Sequence, residues 1–238
     1  MFHPEGPSLR ELAVQALSST ERGYDLLAPK FDHTPFRTPD AVLDAVAAFL
    51  APLAPFGSGL DLCCGTGAGM RMLRPLCRDR VVGLDVSRGM LEAGRRRAGG
   101  ADLDWVRADA LDVPFGPAFD VVVSFGAFGH FLERDQPRLV AQAAGLLRPG
   151  GRFVFVTSHP PRVRSAYFWL AHGFNAAMRV RNLLLSPPFV MYYLTFVLPE
   201  VRDLLEREGL TVEVRPLADS GPLANLRLVS AQRNFRSS

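Results

Sequence analysis

The sequence predicts an α/β domain with a mostly parallel sheet and helices on both faces. From residue 58 onward, short apolar runs alternate with stretches of helical periodicity, which is the pattern of βαβ units. A glycine-rich turn joins the first apolar run to the helix that follows it. The chain has 238 residues, 48% of them hydrophobic, which is enough for one domain with a sizeable core.

Two helices are predicted before the first strand. Residues 9–28 carry apolar side chains at helical spacing. Asp40 is placed to cap a second helix, whose apolar face runs as far as Leu50. We interpret residues 1–57 as an N-terminal helical lid.

Residues 58–159 contain five predicted strands and three predicted helices, and we interpret this range as a ligand-binding core. The predicted strands are short apolar runs bounded by turn residues: Gly59–Cys63, Arg80–Asp85, Leu103–Arg107, Phe119–Phe125 and Arg152–Thr157. The predicted helices lie between these runs, over 68–78, 87–98 and 135–147.

Residues 160–200 depart from this alternation. The segment is rich in large apolar and aromatic side chains, but prolines and arginines interrupt it. It therefore lacks the run of about 20 apolar residues that a membrane span needs. We interpret it as one or two helices inserted as a lid. Residues 201–238 then complete the sheet, with a helix over 201–208 and strands over Thr211–Pro216 and Leu226–Gln232.

The overall composition excludes several functional classes. The formal net charge is +3, and the arginines are scattered among acids, so no nucleic-acid partner is expected. Three cysteines with no CxxC pair predict neither a disulfide framework nor a metal site. No apolar signal-peptide core opens the sequence, so we expect a cytoplasmic protein.

The strongest feature is the segment LDLCCGTGAG, residues 60–69. Its glycines allow the backbone to approach a ligand, although an ordinary βα turn is an equally good interpretation of this segment alone. Two acids downstream favour a ligand. Asp85 ends the second strand, where it can accept hydrogen bonds from both hydroxyls of a ribose. Asp109 and Ala110 follow the third strand, where a carboxylate can accept from the amine of adenine.

Together these segments resemble class I S-adenosylmethionine-dependent methyltransferases of the branch that methylates small molecules. The similar segments are LDLCCGTGAG, GLDVS (83–87), RADALDVPF (107–115), FDVVVSFGAFGHF (119–131) and LLRPGGRFVFV (146–156). The resemblance covers about residues 58–157 and fades across 160–200. It also extends to GYDLLAPKFD, which is similar to the tyrosine-bearing N-terminal helix of many relatives.

The resemblance implies a Rossmann-like, seven-stranded, mostly parallel sheet with an antiparallel C-terminal strand, and S-adenosyl-L-methionine as the cofactor. Many relatives have glycine where this chain has Cys63, a difference expected to change packing more than binding. The cofactor contacts that it implies are Asp61, Gly65 and Gly67 for the methionine end, Asp85 for the ribose, Asp109 and Ala110 for the adenine, Phe125 and Gly126 for the methyl-transfer side, and also Tyr24, Cys63 and Val86.

Two other functions are alternatives to a methyltransferase. A nicotinamide or flavin enzyme would carry GxGxxG, which the spacing Gly65-x-Gly67-x-Gly69 fits poorly. Asp61 beside the turn would also repel a pyrophosphate, whereas it is compatible with a cationic sulfonium. The second alternative is a non-catalytic protein that keeps the adenosyl-cofactor site for regulation or interaction.

The acceptor side is less well defined. A general base is needed only if the acceptor arrives protonated. The candidates are His130, after the fourth strand, and His159, past the fifth, and either histidine could instead be a packing residue. The composition of 160–200 predicts a small apolar or amphipathic acceptor, lipid-like or aromatic. It is equally consistent with a dimer interface or an ordinary lid with solvated arginines, and peripheral membrane contact is a further alternative. Both monomer and homodimer therefore stay open.

Overall fold

The computed structural model describes residues 4–235 and is built around a seven-stranded sheet. The strand order is β3-β2-β1-β4-β5-β7-β6. Strands β1 to β5 run parallel to one another, and β7 is antiparallel to both of its neighbours. This arrangement confirms the predicted fold. The strands are β1 Phe56–Leu62, β2 Cys77–Asp85, β3 Asp104–Arg107, β4 Phe119–Ser124, β5 Leu147–Ser158, β6 Leu210–Pro216 and β7 Leu226–Arg233.

Helices cover both faces of the sheet, because successive residues of a buried strand point to opposite sides. In β4, Val122 packs in the cluster formed with α6 and α8. Its neighbours Val121 and Val123 pack on the other face, with α3, α4 and α5. The helices are α1 Leu9–Ala16, α2 Thr20–Leu27, α3 Asp40–Leu50, α4 Ala68–Leu73, α5 Arg88–Ala98, α6 Gln136–Leu146, α7 Ala166–Leu184 and α8 Glu200–Arg207.

The N-terminal region contains more helices than the sequence indicated. Residues 9–28 form two helices, because the Ser19 hydroxyl accepts the amide hydrogen of Arg22 and so caps a new helix, α2. The prediction that Asp40 caps α3 is wrong. Pro39 holds the cap position, and the Asp40 carboxylate pairs with Arg37.

The predicted boundaries also differ around α4 and β5. Helix α4 ends at Leu73, and a short 3₁₀ helix, Arg74–Leu76, leads into β2, which begins three residues earlier than predicted. Strand β5 begins at Leu147 and includes the Pro-Gly-Gly segment, over which its pairing with β4 shifts register.

The apolar segment after β5 contains one long helix. Ser165 caps the 19-residue helix α7, and irregular chain follows over residues 185–199. That chain is anchored in the core by Phe189, Phe196 and Leu198. Among the helices within residues 4–235, none combines the length and the apolar character that crossing a bilayer requires.

Candidate functional site

A cavity of about 380 Å³ lies at the carboxyl ends of the first four strands. Strands β1 and β4 are neighbours in the sheet, and the order of the strands reverses between them. Ligands of open α/β sheets bind at this switch point. The cavity has the volume of an ordinary small-molecule site.

The cavity brings together eleven of the thirteen residues predicted for the site. They are Tyr24, Asp61, Cys63, Gly65, Asp85, Val86, Asp109, Ala110, Phe125, Gly126 and His130. Gly67 and His159 are not among its lining residues. His159 is exposed just past the end of β5. At Gly67, φ is 81°, and a Cβ would stand 2.4 Å from the ring of Trp105. The packing of Trp105 therefore explains this glycine.

The turn after β1 relies on left-handed backbone conformations. Gly65 has a φ of 52°, and no atom lies within 4 Å of the position that a Cβ would take. A side chain at Gly65 would thus occupy space in the cavity. Cys63 also has a positive φ, of 62°. That conformation favours glycine and costs another residue about 1–2 kcal/mol, which accounts for the glycine that many relatives carry there.

Asp85 connects the glycine turn to the start of α5. One carboxylate oxygen accepts the amide hydrogen of Gly65 at 2.8 Å, and the other accepts that of Ser87 at 2.8 Å. Burial raises the pKa of Asp85. Since each oxygen can accept a further hydrogen bond, the carboxylate can bind two neighbouring hydroxyls. Asp109 is held similarly, because one of its oxygens accepts the amide hydrogen of Leu111 at 2.9 Å.

Asp61 is the most deeply buried acid of the site. Its exposed fraction is 2%, and burial raises its pKa to about 8, although the amide of Met70 donates to it. A Cβ on Gly69 would stand 2.5 Å from one carboxylate oxygen, so only glycine fits there. A buried carboxyl group without an ion pair is stabilised in its charged form by a cationic ligand.

Helix α2 places Tyr24 against His130 on the opposite wall. The Tyr24 hydroxyl lies 2.7 Å from Nε2 of His130, and Nδ1 lies 2.8 Å from the carbonyl oxygen of Val190. Because a carbonyl only accepts, Nδ1 carries the hydrogen. Burial lowers the pKa of His130 and raises that of Tyr24, so both groups are neutral near pH 7. Nε2 therefore accepts the hydrogen of the Tyr24 hydroxyl.

Sequence reasoning missed the residues that hold α2 over the cavity. Asp25 accepts hydrogen bonds from the Ser87 hydroxyl at 2.6 Å and from the Gly89 amide at 2.8 Å. The Thr20 hydroxyl accepts the amide hydrogen of Val190 at 2.8 Å. These partners lie 62 to 170 residues away along the chain, so no local pattern marks them.

Comparisons with known proteins identify the family of this chain. A family model described as a methyltransferase domain matches residues 60–151. The demethylmenaquinone methyltransferase of Renibacterium salmoninarum is 31% identical over 182 residues, which cover 72% of each chain. The chain belongs to the class I S-adenosylmethionine-dependent methyltransferases. The family and the cofactor predicted from the sequence, S-adenosyl-L-methionine, are thereby confirmed.

Two further matches show how far the similarity extends. The ubiquinone/menaquinone biosynthesis C-methyltransferase of Desulfotalea psychrophila is 31% identical over 144 residues, 60% of this chain and 50% of the relative. The chain spans about half the length of the first curated relatives it matches. An O-methyltransferase family protein from Burkholderia thailandensis shares the fold, with a TM-score of 0.71 at 21% identity, over 96% of this chain and 68% of that one.

The residues present fit the family's cofactor. Three carboxylates suit a ligand with a cationic sulfur, a ribose and an adenine amine. Among the described residues that line the cavity, Arg37 is the one arginine or lysine, and it pairs with Asp40. The site therefore lacks the free cations that a pyrophosphate would favour.

Proposed function

We propose that the protein transfers a methyl group from S-adenosyl-L-methionine to a small apolar or amphipathic acceptor. One observation carries the proposal: carboxylates at the ends of three neighbouring strands meet in a cavity whose remaining walls are largely apolar. The apolar side chains of those walls include Phe31, Phe36, Leu43, Phe125, Phe131 and Leu132.

Each of the three carboxylates is assigned to a different part of the cofactor. Asp61 would attract its positively charged methionine end, Asp85 would accept from the ribose hydroxyls, and Asp109 would accept from the adenine amine. Gly65 leaves room for the backbone to approach the cofactor. The bound cofactor supplies a methyl group on a cationic sulfur, which is already activated for transfer. The protein's main task is then to align the acceptor and exclude water.

Lining residues of other types are assigned by their place in the cavity. Tyr24, Cys63, Val86 and Ala110 complete the proposed cofactor contacts, and Phe125 with Gly126 borders the side where the acceptor enters. We leave Gly67 out of the proposed contacts because its position is explained by Trp105.

The acceptor that we favour is an aromatic ring with an apolar chain, such as a reduced quinone. Several relatives are named as ubiquinone, menaquinone or 2-phytyl-1,4-naphtoquinone methyltransferases. The apolar walls of the cavity suit such a ring. The irregular chain around Val190, which also borders the cavity, would contact it.

We assign proton removal to the pair Tyr24 and His130. An acceptor hydroxyl would donate to the Tyr24 oxygen, and the Tyr24 proton would pass to Nε2 of His130. The resulting imidazolium keeps its Nδ1 hydrogen on the carbonyl of Val190. Because burial disfavours this cation, the proton moves as the methyl bond forms rather than before it.

Calorimetry with S-adenosylhomocysteine tests cofactor binding first. Asp85→Ala should weaken binding by about tenfold to a hundredfold, since it removes acceptors from buried hydrogen bonds. Asp79→Ala is the matched control, because Asp79 lies exposed at the other end of the same strand and should leave affinity unchanged. Failure of the folded native protein to bind would overturn the proposal.

A methyl-transfer assay against reduced quinones and other phenols then tests turnover. Tyr24→Phe and His130→Gln should both lower kcat and alter its pH profile. His130 is not among the proposed cofactor contacts, so His130→Gln should leave the affinity for S-adenosylhomocysteine within about threefold. Cofactor binding without methylation of any acceptor would favour the non-catalytic alternative. Nitrogen-15 NMR of His130 should show a protonated Nδ1 and a bare Nε2, and the opposite tautomer would refute the proposed relay.

A further inference from the structure

Helix α7 carries an apolar stripe along its outer face. Trp169, Gly173, Ala176, Val180 and Leu183 are spaced by three or four residues, so they lie on one side of the helix. The large side chains of this stripe are exposed, Trp169 by 64% and Leu183 by 84%. The residues that anchor the helix, which include Ala171 and Asn175, lie on the opposite side. The stripe therefore points away from the protein.

The apolar surface continues from α7 onto α1. The Arg181 guanidinium donates to the carbonyl of Ala16 at 3.0 Å and to that of Ser18 at 3.2 Å. These bonds hold the end of α7 beside the end of α1. Leu17 lies between Ala16 and Ser18 in the chain, and its side chain is 60% exposed. Leu184, near the end of α7, is also exposed. The unpartnered surface thus spans two helices.

Arginines flank this surface. Residues 136–199 contain no aspartate or glutamate. Arg162 and Arg164 precede α7, are exposed, and form no ion pair with any residue that the structure describes. Arg179 has one acidic neighbour, Glu133 at 3.6 Å, and both side chains are exposed, so that pair is weak. Exposed tryptophan and leucine with flanking arginines are typical of helices that lie in a membrane interface.

We infer that the outer face of α7 docks onto a lipid bilayer that contains anionic lipids. A second copy of the chain is a poorer partner. A symmetric dimer would place the same face against itself and bring Arg162 and Arg164 of both copies together, with no acid from residues 136–199 to offset them. Anionic headgroups supply the opposite charge, and the acyl region accepts the apolar stripe.

The docking face is connected to the cavity by the irregular chain after α7. The Asn175 amide group exchanges two hydrogen bonds with the backbone of Tyr193, and the Asn182 amide group does the same with Phe189. Val190, in this chain, lines the cavity. A bilayer docked on α7 would lie beside the acceptor wall, and a membrane-resident acceptor would reach it directly. This last step rests on the proposed function, whereas the docking itself does not.

Trp169 offers a direct measurement of docking. The chain has two tryptophans, and the other, Trp105, is packed against Gly67 and Gly94. The full chain would be titrated with phosphatidylcholine vesicles that contain about 30% phosphatidylglycerol, and with vesicles of phosphatidylcholine alone. We expect a blue shift of emission and co-sedimentation with the anionic vesicles, and at least tenfold weaker binding to the neutral ones. Trp169→Phe should abolish the shift.

Substitutions on the exposed surface separate the apolar contribution to docking from the electrostatic one. Leu183→Asp and the pair Arg162→Glu and Arg164→Glu should each weaken vesicle binding at least tenfold. Their matched controls are Leu53→Asp and Arg78→Glu, exposed positions just before β1 and at the amino end of β2. The controls should bind as the native protein does.

Three results would overturn the inference. They are no binding to anionic vesicles, equal binding by the α7 variants and their controls, and a Trp169 shift that follows protein concentration without vesicles. The third would indicate a second copy as the partner. Calorimetry with S-adenosylhomocysteine on the same samples separates this inference from the proposed function, because cofactor binding requires no vesicle.

Discussion

Asp61→Asn tests the electrostatics of the cavity, because Asp61 is a buried acid that lies opposite the proposed positive charge of the cofactor. In the ligand-free protein, burial raises its pKa to about 8, so the group is mostly protonated at neutral pH. A cationic ligand favours the carboxylate. Binding of S-adenosyl-L-methionine below about pH 8 should therefore release a proton from Asp61, and binding above that pH should not.

The size of the effect follows from the pKa. Each pH unit below 8 adds about 1.4 kcal/mol to the free energy of binding, which is a tenfold loss of affinity. Between pH 8, where Asp61 is about half protonated, and pH 6, the native protein should lose about fiftyfold in affinity. Asp61→Asn cannot titrate, so its affinity should be lower at high pH and should lack this slope.

Stability of the ligand-free protein should follow the same titration. The unfolded chain releases the Asp61 proton near pH 4, whereas the folded protein keeps it until about pH 8. The folded state thus binds more protons in this window, and its stability falls as the pH rises through it, by up to about 1.4 kcal/mol per pH unit. Asp61→Asn removes that loss and should be the more stable protein at pH 8.

Calorimetry in two buffers with different ionisation enthalpies would count the released protons. Urea unfolding at both ends of the pH window would measure the stability of the two proteins. Asp79→Asn, an exposed change on the neighbouring strand, is the control and should behave as the native protein does. Binding without proton release at about pH 6, together with equal pH slopes for native protein and Asp61→Asn, would refute the electrostatic assignment.

Two further predictions concern the packing of helix glycines and the hydrogen bonds that hold α2. Gly69→Ala should lower both the melting temperature and the cofactor affinity, because the new Cβ would collide with the Asp61 carboxylate at 2.5 Å. Gly145→Ala in α6, where no atom lies within 4 Å, should instead stabilise the protein by up to about 1 kcal/mol, and a thermal melt that failed to separate the two would contradict this reasoning. Asp25→Ala removes both bonds to the start of α5, so limited proteolysis before α3 should accelerate while the melting temperature changes by only a few degrees. Unchanged cleavage rates would show that Asp25 does not hold α2.

The sequence predicted the strands wherever burial on both faces produces an unbroken apolar run, as in Val121–Val123. It missed the first residues of β2. Arg78 and Asp79 are exposed, so the side chains there carry no strand pattern, and the segment joins the sheet through backbone pairing with β1. Hydrogen bonds between main chains are independent of side-chain type, and a pattern of side chains cannot reveal them.

The site residues that could be predicted from the sequence are those that lie at the carboxyl ends of the strands. Asp61 and Asp85 lie near the ends of β1 and β2, and the topology alone brings them to one edge. Glycines of the turn were harder to interpret, because spacing does not distinguish Gly65, which opens onto the cavity, from Gly67, which accommodates Trp105. The partner of His130 could not be predicted either, since a backbone carbonyl 60 residues away fixes its tautomer.

Hydrogen bonds join residues 16–20, at the start of α2, to the end of α7 and the chain after it, and we expect these two segments to unfold locally as a single unit. Thr20 accepts the amide of Val190, and Arg181 holds the carbonyls of Ala16 and Ser18, so neither segment can detach while the other stays closed. Neither belongs to the sheet, and both should open with less free energy than global unfolding requires. The amide hydrogens of Val190 and of α2 should therefore exchange with solvent at similar rates, although 170 residues of chain separate them. A bound cofactor should slow the exchange of both.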